Sequence, residues 1–256
     1  MNKIVKSDTV PDILQTRGSL LKQGLIAEAD AGKTDFKFCN EVYADSSVKE
    51  KLKSDQHCKC AYCERDKSGD FGDVEHFRPK KAYRQDFHTS LNSPAYYWMA
   101  YDWRNLLFSC AECNRKFKGN LFPIADESKR GIRNRSVEQE EALLINPAAE
   151  DPGEFIFFEE HIVKARLSDG GGDIKGKTTI RILKLNERAD LVEARRKRWI
   201  EYQTARETIA VLEALLKRGI PEDIDLEDVL HSQQKILKEM TSESSEFTGM
   251  FKYQRK

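Results

Sequence analysis

Two Cys-x-x-Cys pairs, Cys60-Ala61-Tyr62-Cys63 and Cys110-Ala111-Glu112-Cys113, are the residues best placed by type and spacing to do chemistry. Each pair puts two thiols on one tight turn. Four thiolates on two such turns match the tetrahedral, sulfur-rich coordination of structural zinc. Between the pairs lies Asp73-Val74-Glu75-His76, and Asn114 directly follows the last cysteine. A carboxylate, an imidazole and an amide oxygen suit metal-dependent hydrolysis of a phosphodiester. Glu75 and Asn114 supply oxygens to Mg²⁺ or Mn²⁺, which prefer oxygen and keep several waters. His76, with a pKa near working pH, can take a proton from the attacking water.

Each element has a plainer alternative. Cys-x-x-Cys also serves redox proteins, but neither pair sits in a thioredoxin-like strand–helix context. Cys58 and His57 adjoin the first pair as substitute ligands, although the spacing of Cys60 and Cys63 fits the second pair better. Cys39 stands alone and reads as a small buried hydrophobe. An acidic-His pair on its own is commonly a surface pair or a satisfied core histidine. Its place between two zinc turns is what lifts this one. Asn105 and Asn114 could each be helix caps. Arg78, Lys80, Lys81, Arg115, Lys116 and Lys118, with Arg84, flank both halves and offer phosphate contacts.

Composition constrains the rest. The formal net charge is +0, so no global basic field marks a nucleic-acid binder. Locally, Lys59 to Arg135 carries fifteen Lys/Arg against ten Asp/Glu, and acidic residues gather at Pro221–Asp228 and Ser242–Glu246. On charge alone this is an ordinary solvated surface. No apolar leader opens the sequence and no run is long enough to span a bilayer, so a cytoplasmic, reducing compartment is expected.

The elements that must position these groups give an α+β, mainly helical fold. Residues 1–57 read as a helical segment, with a helix over Ala44–Lys53. Residues 58–135 hold the motifs, with a turn at 66–72 and an aromatic cluster of Tyr96, Tyr97, Trp98, Tyr101 and Trp103 that reads as core. A strand would point Glu75 and His76 to opposite faces, so a bend is expected there, helped by Arg78-Pro79. Residues 136–186 include a hairpin over Glu154–Glu160 and His161–Ser168, then a glycine turn at 170–172. Residues 187–256 form a helical pair. The first helix runs from Glu187 to Arg218 with Asn186 as N-cap and Gly219-Ile220-Pro221 as its stop; the second runs from Leu226 to Met240.

Together, Glu75-His76-Phe77-Arg78-Pro79-Lys80, Trp103-Arg104-Asn105-Leu106 and Cys110-Ala111-Glu112-Cys113-Asn114-Arg115-Lys116 resemble the HNH endonucleases. The resemblance implies a zinc-stabilised ββα-metal (HNH) nuclease core with helical N- and C-terminal elaborations. It implies His76 as general base, Glu75 and Asn114 as ligands of a catalytic Mg²⁺ or Mn²⁺, and Asn105 as the residue that orients the His-bearing loop. This sequence has Glu where Asp is commoner before the His, and Asn where His is commoner last; both still offer oxygen. Cys60-Ala61-Tyr62-Cys63-Glu64, Gly119-Asn120-Leu121-Phe122-Pro123, Leu144-Ile145-Asn146-Pro147 and Thr179-Ile180-Arg181-Ile182-Leu183-Lys184-Leu185-Asn186 narrow the likeness to the nuclease branch of the bacterial Septu anti-phage system, which also serves as an effector in some retrons. That branch implies a PtuA-like ATPase partner, a DNA or RNA substrate, and in the retron setting a reverse transcriptase–msDNA complex. The last helices carry no motif. With Arg195-Arg196-Lys197-Arg198 they are a candidate dock for the ATPase; packing on the rest of the chain is the alternative, as is a non-catalytic, zinc-stabilised nucleic-acid-binding adaptor for the whole.

Overall fold

The computed structural model describes residues 1–69, 72–131, 136–168, 171–218 and 226–255. About half of it is helical. Among the described residues the strands form three two-stranded antiparallel sheets. The expected turn at 66–72 and glycine turn at 170–172 lie partly outside those residues, and the Gly219-Ile220-Pro221 stop wholly so.

The central sheet pairs β1 (Asp73–His76) with β2 (Leu106–Ser109), in the register Glu75↔Leu107 and His76↔Leu106. All four residues of β2 are buried, which suits a short apolar run. Its outer edge is closed by a side chain. Gln56 donates from Nε2 to the Phe108 carbonyl at 2.8 Å and accepts from the Phe108 N–H at 2.8 Å, in place of a third strand. Gly72 enters β1 at φ +46°, and a Cβ there would lie 2.3 Å from the Phe108 ring. The chain leaves β2 through Cys110 into a wide helical turn, Glu112–Lys118. Its end shows the i→i−5 pattern, with Gly119 N–H on the Asn114 carbonyl at 2.7 Å. Gly119, at φ +48°, ends it.

The N-terminal helices α1 (Ser19–Asp30), α2 (Asn40–Tyr43) and α3 (Ser46–Asp55) pack on this unit through Leu25, Val42, Val48 and Leu52. Asp45 caps α3 by accepting from Ser47 N–H at 2.8 Å. The long connection between β1 and β2 carries the aromatic cluster, which is core as expected: Tyr96 and Phe122 meet edge to face at 5.4 Å. β3 (Ile156–Glu159) and β4 (Ile162–Ala165) form the expected hairpin, and β5 (Leu167–Ser168) pairs with β6 (Gly171–Gly172). Helix α4 (Ile174–Ile182) follows, with Asp173 as its cap.

Helices α5 (Ala189–Lys217) and α6 (Leu226–Met240) pack on each other, and α6 has the bounds expected from the sequence. Asn186 is not the cap of α5. Arg188 holds that position without a side-chain cap bond, and Asn186 instead pairs both ways with the Val163 backbone, at 3.2 and 2.7 Å. Nor do the last helices stand apart. After α6, the short helix α7 (Thr248–Lys252) returns Phe247, Met250 and Tyr253 to the common core. Tyr253 also extends β3's edge, its carbonyl accepting from Phe158 N–H at 2.8 Å. Arg195, read as a docking residue, is 3% exposed and lies inside. The core cluster runs from Met1 to Tyr253 and draws on all four sequence segments.

Candidate metal and phosphodiester site

The Sγ atoms of Cys60, Cys63, Cys110 and Cys113 lie within 4.8 Å of one another, all buried. Cys63 and Cys110 sulfurs are 3.8 Å apart, the edge of a tetrahedron with zinc–sulfur bonds of about 2.3 Å. The residues therefore fit a structural zinc. Cys58 is partly buried, and neither it nor His57, both on a left-handed turn, belongs to the cluster. The choice between Cys58 and Cys60 thus falls to Cys60. β2 fixes the geometry, since Ala61 N–H donates to Phe108 at 2.9 Å and Ser109 Oγ sits 3.5 Å from Cys60 Sγ.

Four thiolates around one zinc leave a net charge of about −2, which burial makes costly unless cations compensate it. Arg188 does so from the entry to α5. It is 5% exposed, donates to Cys113 Sγ at 3.2 Å, and pairs with Glu112 at 2.5 Å. Burial opposes its charge, yet the neighbouring thiolates of Cys113 and Cys63 hold its pKa above the ordinary value. Arg195, one α5 turn-pair further on, is depressed to about 10 by burial, with the charge of Cys63 opposing. Sequence reasoning passed over Arg188, because nothing local ties it to cysteines far back in the chain.

A cleft of about 390 Å³ lies beside this centre, lined by Asp73, Glu75, His76, Asn114, Lys80 and Lys81 among others. The expected bend at the dyad is not there: Glu75 and His76 are consecutive residues of a regular strand. The cleft curls round the end of β1, so side chains from both faces reach it. His76 is 5% exposed. Its Nε2 contacts the Ala100 carbonyl at 2.9 Å, and Nδ1 lies 3.2 Å from Lys80 Nζ. A carbonyl can only accept, so Nε2 carries the proton and Nδ1 offers its lone pair. Burial, then the Lys80 ammonium, hold the imidazole well below its usual pKa, so it is neutral near pH 7.

Glu75 is 3% exposed and pairs with Lys118 at 2.5 Å. Burial pushes its carboxyl above the ordinary range and Lys118 offsets this only in part. Lys118, grouped with the phosphate contacts on sequence grounds, is corrected here. At 1% exposure it also donates to the His76 carbonyl at 2.9 Å, because the wide helical turn aims it at β1 rather than outward. Asn114 donates to Asp73 at 3.2 Å, and Arg115 forms a two-pronged pair with the same carboxylate. Asn105 is 1% exposed and clamps the segment after β1. It accepts from Arg78 N–H at 2.8 Å and donates to the Arg78 and Met99 carbonyls at 3.0 and 3.2 Å. Arg78 itself pairs with Glu140 at 2.9 Å, Lys81 with Asp35 at 3.5 Å, and Lys116 projects from the wide turn toward solvent. Sequence reasoning also missed Asn40, Tyr43 and Lys49, which line the cleft from the N-terminal helices.

Septu protein PtuB of Bacillus mycoides (strain KBAB4) is 36% identical to this chain over 225 residues, 86% of the chain and 72% of the relative. The chain belongs to the PtuB family. A second PtuB, from Bacillus thuringiensis, is 30% identical over 158 residues, 61% of this chain and 48% of that one. Septu protein PtuA of Bacillus mycoides shares 28% identity over 145 residues, 56% of this chain and 20% of PtuA. No family model and no solved structure matches. Among the described residues, no helix is long and apolar enough to cross a membrane.

Proposed function

We propose that this chain is a metal-dependent HNH endonuclease with a ββα-metal core, cleaving phosphodiester bonds in DNA or RNA as the effector of a cytoplasmic anti-phage system with a PtuA-like ATPase. A retron reverse transcriptase–msDNA complex is the partner in the alternative genomic setting. The observation that carries the reading is His76: its tautomer is fixed by Ala100, which leaves Nδ1 as the lone-pair side, and it lines a cleft shared with Glu75 and Asn114.

Glu75 and Asn114 would hold Mg²⁺ or Mn²⁺, whose chemistry is to polarise the scissile phosphate and stabilise the departing oxygen. The chain does the rest. His76 Nδ1 takes a proton from the attacking water as its oxygen bonds to phosphorus, and the bond to the leaving oxygen breaks. Asn105 keeps the segment that follows His76 in register. Lys80, Lys81, Arg115 and Lys116 offer charge to neighbouring phosphates, with Arg78 at the far side of the Asn105 clamp. Burial of Nε2–H against a carbonyl supports a base that works without waiting on a tautomer change.

One observation favours the adaptor reading: Glu75 and His76 both have internal partners, Lys118 and Lys80, as structural side chains do. A cleavage assay separates the two. Protein purified with its PtuA-like partner should cut DNA or RNA only with Mg²⁺ or Mn²⁺, and His76→Ala should stop cleavage by about 10²–10⁴-fold with zinc content unchanged. Full activity in a folded His76→Ala protein would refute the nuclease assignment.

A further inference from the structure

Lys80 occupies the one nitrogen that catalysis needs. Its Nζ lies 3.2 Å from His76 Nδ1, the lone-pair side of the imidazole. A lone pair that accepts a hydrogen bond from an ammonium cannot also accept one from water. Lys80 is held there by an aromatic shelf from the N-terminal segment. Its Nζ sits 4.4 Å from the centre of the Tyr43 ring and 5.9 Å from that of Phe38. Tyr43 meets the His76 ring edge-on at 4.7 Å, so shelf, latch and base form one contact group. Among the described residues no carboxylate forms an ion pair with this ammonium, although Glu75 lies close enough to favour its charge. An ammonium on a neutral imidazole and a ring face is held less firmly than one paired with an anion.

We propose that Lys80 is a substrate-displaced latch: in the free protein it covers His76 Nδ1, and an entering phosphodiester draws it off the imidazole and frees the base. The inference rests on the nuclease reading for its consequence, but not for its geometry. The exchange is favourable because a phosphate oxygen offers Lys80 an anionic partner, so that both members of the bond are charged, whereas the ring nitrogen is neutral. The cleft gives a strand room to reach Lys80, since Pro79, Lys81, Asn120 and Lys49 share its lining. Lys80 is thus a positioning residue, assigned both to silence at rest and to substrate engagement.

The test uses the full, zinc-loaded chain with no added Mg²⁺ or Mn²⁺, so that no cleavage intervenes and the cysteine centre stays filled. Single-stranded DNA and RNA oligonucleotides are titrated in turn, with inorganic phosphate as the non-polymeric control. In ¹⁵N-histidine spectra of the parent, the His76 Nδ1 resonance should move toward the position of a free acceptor when an oligonucleotide binds. In Lys80→Met, whose apolar stem keeps the shelf packed, it should sit there already. Binding measured on a His76→Ala background should show the salt slope falling by about one phosphate contact when Lys80→Met is added. Tyr43→Leu, which removes the shelf and leaves the ammonium, should shift Nδ1 part of the way. An Nδ1 resonance identical in parent and Lys80→Met overturns the latch, and so does an unchanged salt slope. An active His76→Ala enzyme would instead overturn the nuclease reading while leaving these two measurements intact.

Discussion

Asn105 makes the relation between loop and base measurable. Replacing it by Ala removes three hydrogen bonds and fills none of them, because the side chain is 1% exposed and water has no access. The orphaned Arg78 N–H costs about 1–3 kcal/mol and the two lost carbonyl bonds about 1 kcal/mol each, about 3–5 kcal/mol together. For a chain of this size each kcal/mol lowers Tm by about 2–4 °C, so a fall of at least about 6 °C is expected by thermal denaturation. Function should fall further. The three bonds of this clamp set the position of the segment after His76, and a misplacement of about 1 Å costs on the order of 10² in rate. Cleavage measured well below the variant's Tm should therefore drop about 10²-fold with oligonucleotide affinity and zinc content retained. Asn105→Asp keeps the acceptor to Arg78 but loses both donors and buries a charge, so it should be no better than Ala. An Ala variant that melts within about 2 °C of the parent and cuts at its rate refutes the clamp.

Purified protein should contain about one zinc per chain by metal analysis, and Cys113→Ser should lose both zinc and cooperative unfolding, since binding and folding are coupled. Arg188→Met should keep the fold but weaken zinc about 10–100-fold in chelator competition, because it strips the cation from the thiolates; unaltered competition would refute that role. Lys6, whose ammonium contacts the Trp103 and Leu106 carbonyls, is lowered by burial from 10.5 to about 7. The folded form then binds fewer protons than the unfolded between those values, so stability should rise as pH climbs through that window. Lys6→Met should flatten this rise in urea unfolding at a series of pH values.

What could be read in advance was local. Cys-x-x-Cys spacing, the bounds of α6 and the alternation of the β3–β4 hairpin are each local, and the structure bears them out. Residues whose partners are remote were misread. Asn186 has the chemistry of an N-cap, but a strand backbone lay nearer than the helix's own N–H groups. Lys118 reads as a surface cation because charge is normally solvated; only the fold reveals a buried carboxylate facing it. The bend expected at Glu75-His76 came from treating a strand's two faces as two separate places, which fails where a cleft wraps the strand end. Arg195, one of the basic stretch on α5, proved internal on the same ground, since burial beside thiolates far back in the chain leaves no mark on a helical period.

Phe247, Met250 and Tyr253 close a core whose preceding contributors end near Trp199. The arm of α5 and α6 is therefore translated in between, a stretch of about 50 residues that takes roughly 2–10 s at 5–20 residues per second. Through that interval the apolar faces that these three side chains will cover have no partner on the nascent chain. The seal is thus supplied by a short helix made late, so shortening the chain before Thr248 should leave these faces uncovered.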